Sequence, residues 1–161
     1  MTVVLRHNET LELNLVEFTG AVTVAQLQAL AGYGARHLPL LRNDAIHLIG
    51  ESADFGPVDL SQLDALFADY RKLYEPLTFQ IYRRSVWLCF SQSAEAHVAY
   101  WIGDRDLREG MSSTVRRFGT MAEACDWLVL SPAEAADVER GVGFTDLAVF
   151  DDAPPRLTAA G

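Results

Sequence analysis

The sequence is short of cysteine, with two in 161 residues. Cys89 lies in the apolar run VWLCF and Cys125 on the apolar side of a short helical stretch, so both are expected to be buried free thiols. No CxxC and no Cys–His pair stands at metal spacing, which argues against a zinc site or any other resident metal or cofactor. Basic residues are scarce as well. Thirteen Lys and Arg against 22 Asp and Glu leave a net charge of −9. A field of that sign repels phosphate backbones, so general nucleic-acid binding and docking on anionic membranes are disfavoured, although a local basic patch stays open. Long apolar runs are missing too. No stretch reaches the roughly 18 residues of a membrane span, and the opening MTVVLRHNET has no apolar signal core. The expectation is a cytoplasmic protein with no membrane insertion.

Catalytic signatures are the next absence. There is no G-x-S-x-G elbow, since GESAD breaks it, no GxGxxG and no P-loop. The glycine pairs in GYG and GVG do not follow an apolar strand and open a helix, so they read as turn or helix-end glycines. The four histidines, His7, His37, His47 and His97, fall on separate elements. His47 in AIHLI reads as a core histidine held by one hydrogen bond, with a pocket base as the alternative. The residues therefore point away from an enzyme.

What the chain does have is apolar content and regular punctuation. Half of its residues are hydrophobic, enough for one domain with a core. Residues 3–6 read as a short strand, and Leu11, Leu13 and Leu15 alternate with Glu12 and Asn14 before an apolar end at residues 16–18. His7-Asn8-Glu9 is the expected hairpin connection. Four helix starts carry a capping residue with an acid or amide three positions on: Thr23/Gln26, Asp59/Gln62, Thr120/Glu123 and Ser131/Glu134, the last with Pro132 at the first helical position. Leu60, Leu63, Leu66, Phe67, Tyr70 and Leu73 form an apolar stripe ending before Pro76. Strands are expected at residues 45–49, 85–90 and 114–118, with a helix over about 94–107 between the last two. AIHLI and VWLCF are nearly continuous apolar runs, as strands covered on both faces require.

This alternation predicts a single α/β domain: a mostly parallel sheet with an N-terminal antiparallel hairpin and helices packed on it. Residues 1–130 form the domain in this reading. Residues 131–161 are a helical extension and tail, in which residues 141–152 add an edge strand or wrap the domain and APPRLTAAG frays.

Taken in order, EFTGAVTVAQLQAL, AIHLIG, DLSQLDALFADYRKL, RRSVWLCFSQSAEAHVAYWI and VRRFGTMAEACDWL resemble the bacterial SpoIIAA-like proteins. The resemblance covers residues 11–130 and is most specific over residues 115–128. It implies the STAS-type fold of anti-sigma-factor antagonists, also described as CRAL-TRIO-like, and for most members no assigned biochemistry. Antagonists that switch partners carry a phosphorylatable Ser or Thr in a D-S-S-G-L turn. This chain reads GESADFGPVDLSQL there, with Ser52 early in the loop and Ser61 inside the first helical turn. The usual phospho-switch motif is absent, and phospho-gated binding is not expected.

Two candidate sites follow. The loop of residues 51–59 leaves a strand at the edge of the sheet where open α/β folds bind ligands, and it carries Glu51, Asp54 and Asp59 with Ser52 and Ser61 nearby. It is the expected surface for another protein or a second copy; cation binding is the weaker alternative, and capping accounts for Asp59. Arg117, Gly119 and Thr120 are a candidate anion site at a helix start, but Thr120 and Glu123 already cap that end, so the strand-to-helix architecture is the preferred reading. Neighbours on a strand face opposite ways, so the paired arginines Arg83-Arg84 and Arg116-Arg117 each split between two faces. Trp87, Trp101 and Trp127 are expected around the core. The reading is a non-catalytic protein-interaction or regulatory module, with a carrier or sensor of a small apolar, lipid-like ligand as the alternative. The CRAL-TRIO-like resemblance strengthens that alternative, because such folds can enclose lipids.

Overall fold

The computed structural model describes residues 2–74, 83–103 and 113–151. Pro76, the last turns of the third expected helix and the tail from residue 152 lie outside the described residues. Six strands form one mixed sheet: β1 (Thr2–Asn8), β2 (Leu13–Thr19), β3 (Asp44–Ile49), β4 (Arg83–Cys89), β5 (Ser113–Phe118) and β6 (Thr145–Phe150). Their spatial order is β5-β4-β3-β2-β1-β6. The pairs from β2 to β5 are parallel, while β1 runs antiparallel to both β2 and β6. The chain is thus an α/β domain, as the strand–helix alternation predicts.

The helices are α1 (Val24–Arg36), α2 (Leu60–Tyr74), α3 (Glu95–Gly103), α4 (Met121–Trp127) and α5 (Pro132–Arg140), with a short 3-10 turn at Leu38–Arg42. Strands β2 to β5 are added side by side in one direction, so crossovers of a single hand must all pass over the same face. They do. Leu27 of α1, Leu63 and Leu66 of α2 and Val98 of α3 share one apolar cluster with Val16, Phe18, Ile49 and Trp87. The opposite face, Leu13, Leu15, Ile46, Val86 and Leu88, packs against Ala124, Cys125 and Leu128 of the α4 region and Val138 of α5. Strict alternation along each strand produces this division: Trp87 faces α1–α3 while Val86 and Leu88 face α4 and α5. Fully burying each such aliphatic side chain contributes about 1.5–3 kcal/mol.

Local signals set the helix starts. Thr23 and Gln26 make a reciprocal capping box on α1, as do Ser131 and Glu134 on α5. At α4 the Thr120 hydroxyl accepts from the Glu123 N–H, and at α2 the Gln62 side chain accepts from the Asp59 N–H. Differences from the expected bounds fall at the chain's first turn and its end. The β1–β2 turn occupies residues 9–12 rather than 7–9, because the Asn8 side chain accepts from the Leu11 N–H at 3.0 Å and so holds Asn8 in the strand. Beyond residue 130, α5 buries Val138 and β6 pairs along β1, so this stretch belongs to the same sheet and core.

Helices α4 and α5 end in the same way with different residues. After α5, Gly141 at φ 70° donates to the Val138 carbonyl and Val142 to that of Asp137. After α4, Val129 donates to Asp126 and Leu130 to Cys125, which places Val129 at φ 62° with its side chain 80% exposed. A β-branched residue in that left-handed position is strained, by roughly 1–2 kcal/mol. Glycine's greater freedom in the unfolded chain offsets part of the relief. Val129→Gly is therefore expected to stabilise the protein by about 1 kcal/mol, seen as a higher denaturation midpoint at unchanged slope. Gly141→Val should move the midpoint the other way. A neutral or destabilising Val129→Gly would refute the strain.

Candidate functional site

Between the sheet and the α1–α3 layer lies a partly open cavity of about 70 Å³. Its wall is chiefly apolar, built from Phe18, Leu27, Phe55, Leu63, Leu66 and Val98, while His47, Arg83, Trp87, His97 and Trp101 bring polar atoms to it. A second recess of about 70 Å³ shares Leu30, His47, Tyr70 and Arg83 with the first.

Each polar residue reaches this face for a local reason. His47 and Trp87 are register partners on β3 and β4, and their rings stack at 4.4 Å and 10°. His47 Nδ1 lies 3.3 Å from the Val86 carbonyl and 3.3 Å from the Ser85 hydroxyl. Ser85 is completely buried, so that hydroxyl is closed to a substrate even though it touches an imidazole. One turn apart on α3, His97 and Trp101 face the cavity together. His97 Nε2 donates to the Val58 carbonyl at 2.7 Å. In the neutral ring Nδ1 then holds the lone pair, and this buried nitrogen has no partner among the described residues. The Trp87 Nε1–H is likewise buried without a partner there, in a residue 7% exposed. The stacked His47 ring cannot serve it, because an indole N–H points out in the plane of its own ring.

The acidic loop contributes Phe55 to the cavity wall. Ala53, Phe55 and Val58 are buried, whereas Glu51, Ser52, Asp54 and Asp59 face outward. Asp54 exchanges backbone bonds with Gly20 and Val22 at 2.8 Å each, and the Ser91 hydroxyl donates to the Ala53 carbonyl at 2.6 Å. The loop is thereby fastened to the ends of both β2 and β4. The Asp54 carboxylate accepts from the Gly56 N–H, the Ser52 hydroxyl from the Gly20 N–H, and exposed Ser61 sits in the first turn of α2. Among the described residues no three His, Cys, Asp or Glu side chains gather as a metal ion would require.

The arginines divide by face. Arg117 makes a two-pronged pair with Glu95 on α3, at 2.6 and 2.5 Å, and holds that carboxyl below its usual range. Arg116 points to the other face and lies 5.7 Å over the Trp127 ring. Gly119 and Thr120 adjoin this edge, where the Thr120 hydroxyl already accepts from the helix. Arg84 grips Asp44 and donates to the Trp127 carbonyl at 3.1 Å, which ties β3, β4 and the end of α4 together. Charge at residues 117–120 is thus engaged by Glu95 and by helix capping.

Sequence reasoning placed neither Phe55 nor His97 in a site. A signal existed for Phe55: apolar Ala53, Phe55 and Val58 stand at spacing two and three inside an otherwise acidic loop. For His97 only its i, i+4 relation to Trp101 was available. Compared with known proteins, the chain matches no family model, no curated protein and no solved structure.

The thiols provide a check on this packing. Burial pushes both Cys89 and Cys125 up from the ordinary thiol range, and Cys125 is completely covered. A raised thiol holds less reactive thiolate at a given pH. Alkylation of the folded protein at neutral pH should therefore be slower than that of the unfolded chain, with the pH–rate curve displaced toward alkali. Equal rates folded and unfolded would contradict the burial.

Proposed function

We propose that this domain binds a small, largely apolar ligand without transforming it, in the cavity between the sheet and helices α1–α3. The observation that carries the proposal is the recess walled by Phe18, Phe55, Leu66 and Trp87, lined by residues with buried polar atoms and sharing Leu30, His47, Tyr70 and Arg83 with a second recess. Well-packed cores leave few voids larger than a water molecule. Concave, apolar sites with a few fixed polar groups are where small molecules bind. The sequence resemblance to SpoIIAA-like, CRAL-TRIO-like proteins accords with a carrier or sensor role of this kind.

Native mass spectrometry of the protein as purified, together with titration of an environment-sensitive apolar dye, tests the proposal. Leu30 borders both recesses, so the larger side chain of Leu30→Trp takes up space beside them. Dye binding should fall at least several-fold, at a stability cost within the roughly 1–3 kcal/mol of ordinary overpacking. Unchanged dye binding by a folded Leu30→Trp protein would sink the proposal.

A second reading, docking of another protein or a second copy on the acidic rim, draws on Leu60. It is 46% exposed between Asp59 and Ser61, an apolar residue within an acidic surface. Without the phospho-switch motif such docking is constitutive. Sedimentation of the wild type against a Glu51→Lys, Leu60→Lys double variant tests self-association. A concentration-dependent dimer lost in the variant supports this reading, and a wild-type monomer at high concentration removes the second copy from it.

A further inference from the structure

We propose that the group this cavity recognises is a hydroxyl carried on an apolar body, bound between the indole N–H of Trp87 and Nδ1 of His97; the inference rests on the ligand-binding reading above. Both atoms are buried, both belong to residues lining the same cavity, and neither has a partner among the described residues. Their roles are complementary. Indole N–H can only donate, and its direction is fixed by the rigid ring stacked on His47. His97 commits its Nε2–H to the Val58 carbonyl at 2.7 Å, so Nδ1 can only accept while the ring is neutral. A hydroxyl is the small neutral group that accepts from one partner and donates to the other through a single oxygen. A carboxylate can satisfy Trp87 but has no proton to offer His97, and a hydrocarbon satisfies neither.

Each of the two residues is held on a well-anchored element. Trp87 is on a strand paired on both sides, by β3 and β5. His97 is held at its far nitrogen by Val58, in the loop that Ser91 and Asp54 fasten down. The ring of Phe55, 6.1 Å from that of His97, and the side chains of Phe18 and Leu66 line the cavity with apolar surface. In such surroundings a satisfied hydroxyl is strongly preferred over an analogue without it, because the analogue leaves donor and acceptor unpaired.

The order of affinities is therefore diagnostic, and calorimetric titration of the full chain with toluene, anisole, phenol, cyclohexanol and benzoate reads it. In a cavity without polar partners toluene binds more tightly than phenol, since burying an unpaired hydroxyl is unfavourable. Here phenol or cyclohexanol should bind roughly ten-fold or more tightly than toluene, with anisole, which accepts but cannot donate, in between. The phenol and cyclohexanol arms separate an aromatic from an aliphatic body. Trp87→Phe removes the donor while keeping an aromatic ring, and the phenol-to-toluene ratio should collapse toward one. Toluene binding at or above phenol overturns the hydroxyl inference and leaves the apolar site standing. Benzoate as the tightest ligand overturns it in favour of an anion site. Failure of all five to bind overturns both readings. Should Trp87→Phe not fold, the wild-type ratio decides alone.

Discussion

Strand β4 is covered on both faces, and the rest of the domain is arranged around that constraint. Val86 and Leu88 are wholly buried toward α4 and α5, while Ser85 and Trp87 are buried toward α1–α3. A strand in that position has no solvent to satisfy its polar side chains, so each must find a partner inside the fold. Ser85 finds His47 across the β3 ladder. Arg84, at the strand's start, reaches Asp44 and the last carbonyl of α4, that of Trp127, where a cation also suits the helix end. Trp87 lines the cavity that its own bulk helps to shape, and its buried N–H has no partner among the described residues.

The same double coverage explains the composition of the loop after β3. A segment crossing the end of a fully covered sheet must close the apolar layer beneath it and meet water above. Residues 51–59 do both: Ala53, Phe55 and Val58 turn in, and the carboxylates turn out. The acidic character that marks this loop in the sequence is its solvent side. Its contribution to the candidate site is made by the apolar side and by one backbone carbonyl, that of Val58. Negative charge on this rim and an apolar cavity behind it are thus two faces of one structural solution.

How much of this was legible follows the range of the interactions. The capping boxes at Thr23 and Ser131 and the nearly continuous apolar runs AIHLI and VWLCF are local, and they predict elements that the fold contains. The facing of the paired arginines is legible from parity alone, and Arg116 and Arg117 do separate onto opposite faces. Pairing of β6 with β1 joins residues some 140 positions apart through Arg6–Asp146 and the ladder, and nothing in GVGFTDLAVFDD points to that partner over a loose wrap. The left-handed stop at Val129 carries no glycine to announce it. The cavity was least legible of all. The stack of His47 on Trp87 requires the β3–β4 register, and the bond from His97 to Val58 requires the loop path. Neither is encoded at any fixed spacing.

Two buried atoms on this cavity, Trp87 Nε1 and His97 Nδ1, have no partner among the described residues, and the proposed ligand would give them one. An unsatisfied buried donor or acceptor costs about 1–3 kcal/mol, and a core evolving for stability alone can avoid that cost at residue 87 with phenylalanine, which fills similar space without an N–H. The position instead holds a residue whose donor is buried, rigidly directed and matched by an acceptor of fixed tautomer in the same cavity. Placed apart, such atoms would be two separate defects. Under the hydroxyl proposal, their opposite hydrogen-bonding roles are met together by one group that accepts and donates at once. Such a group binds the folded state alone, since the strand register and the loop that create the pair are lost on unfolding, and its binding energy adds to the stability of the fold.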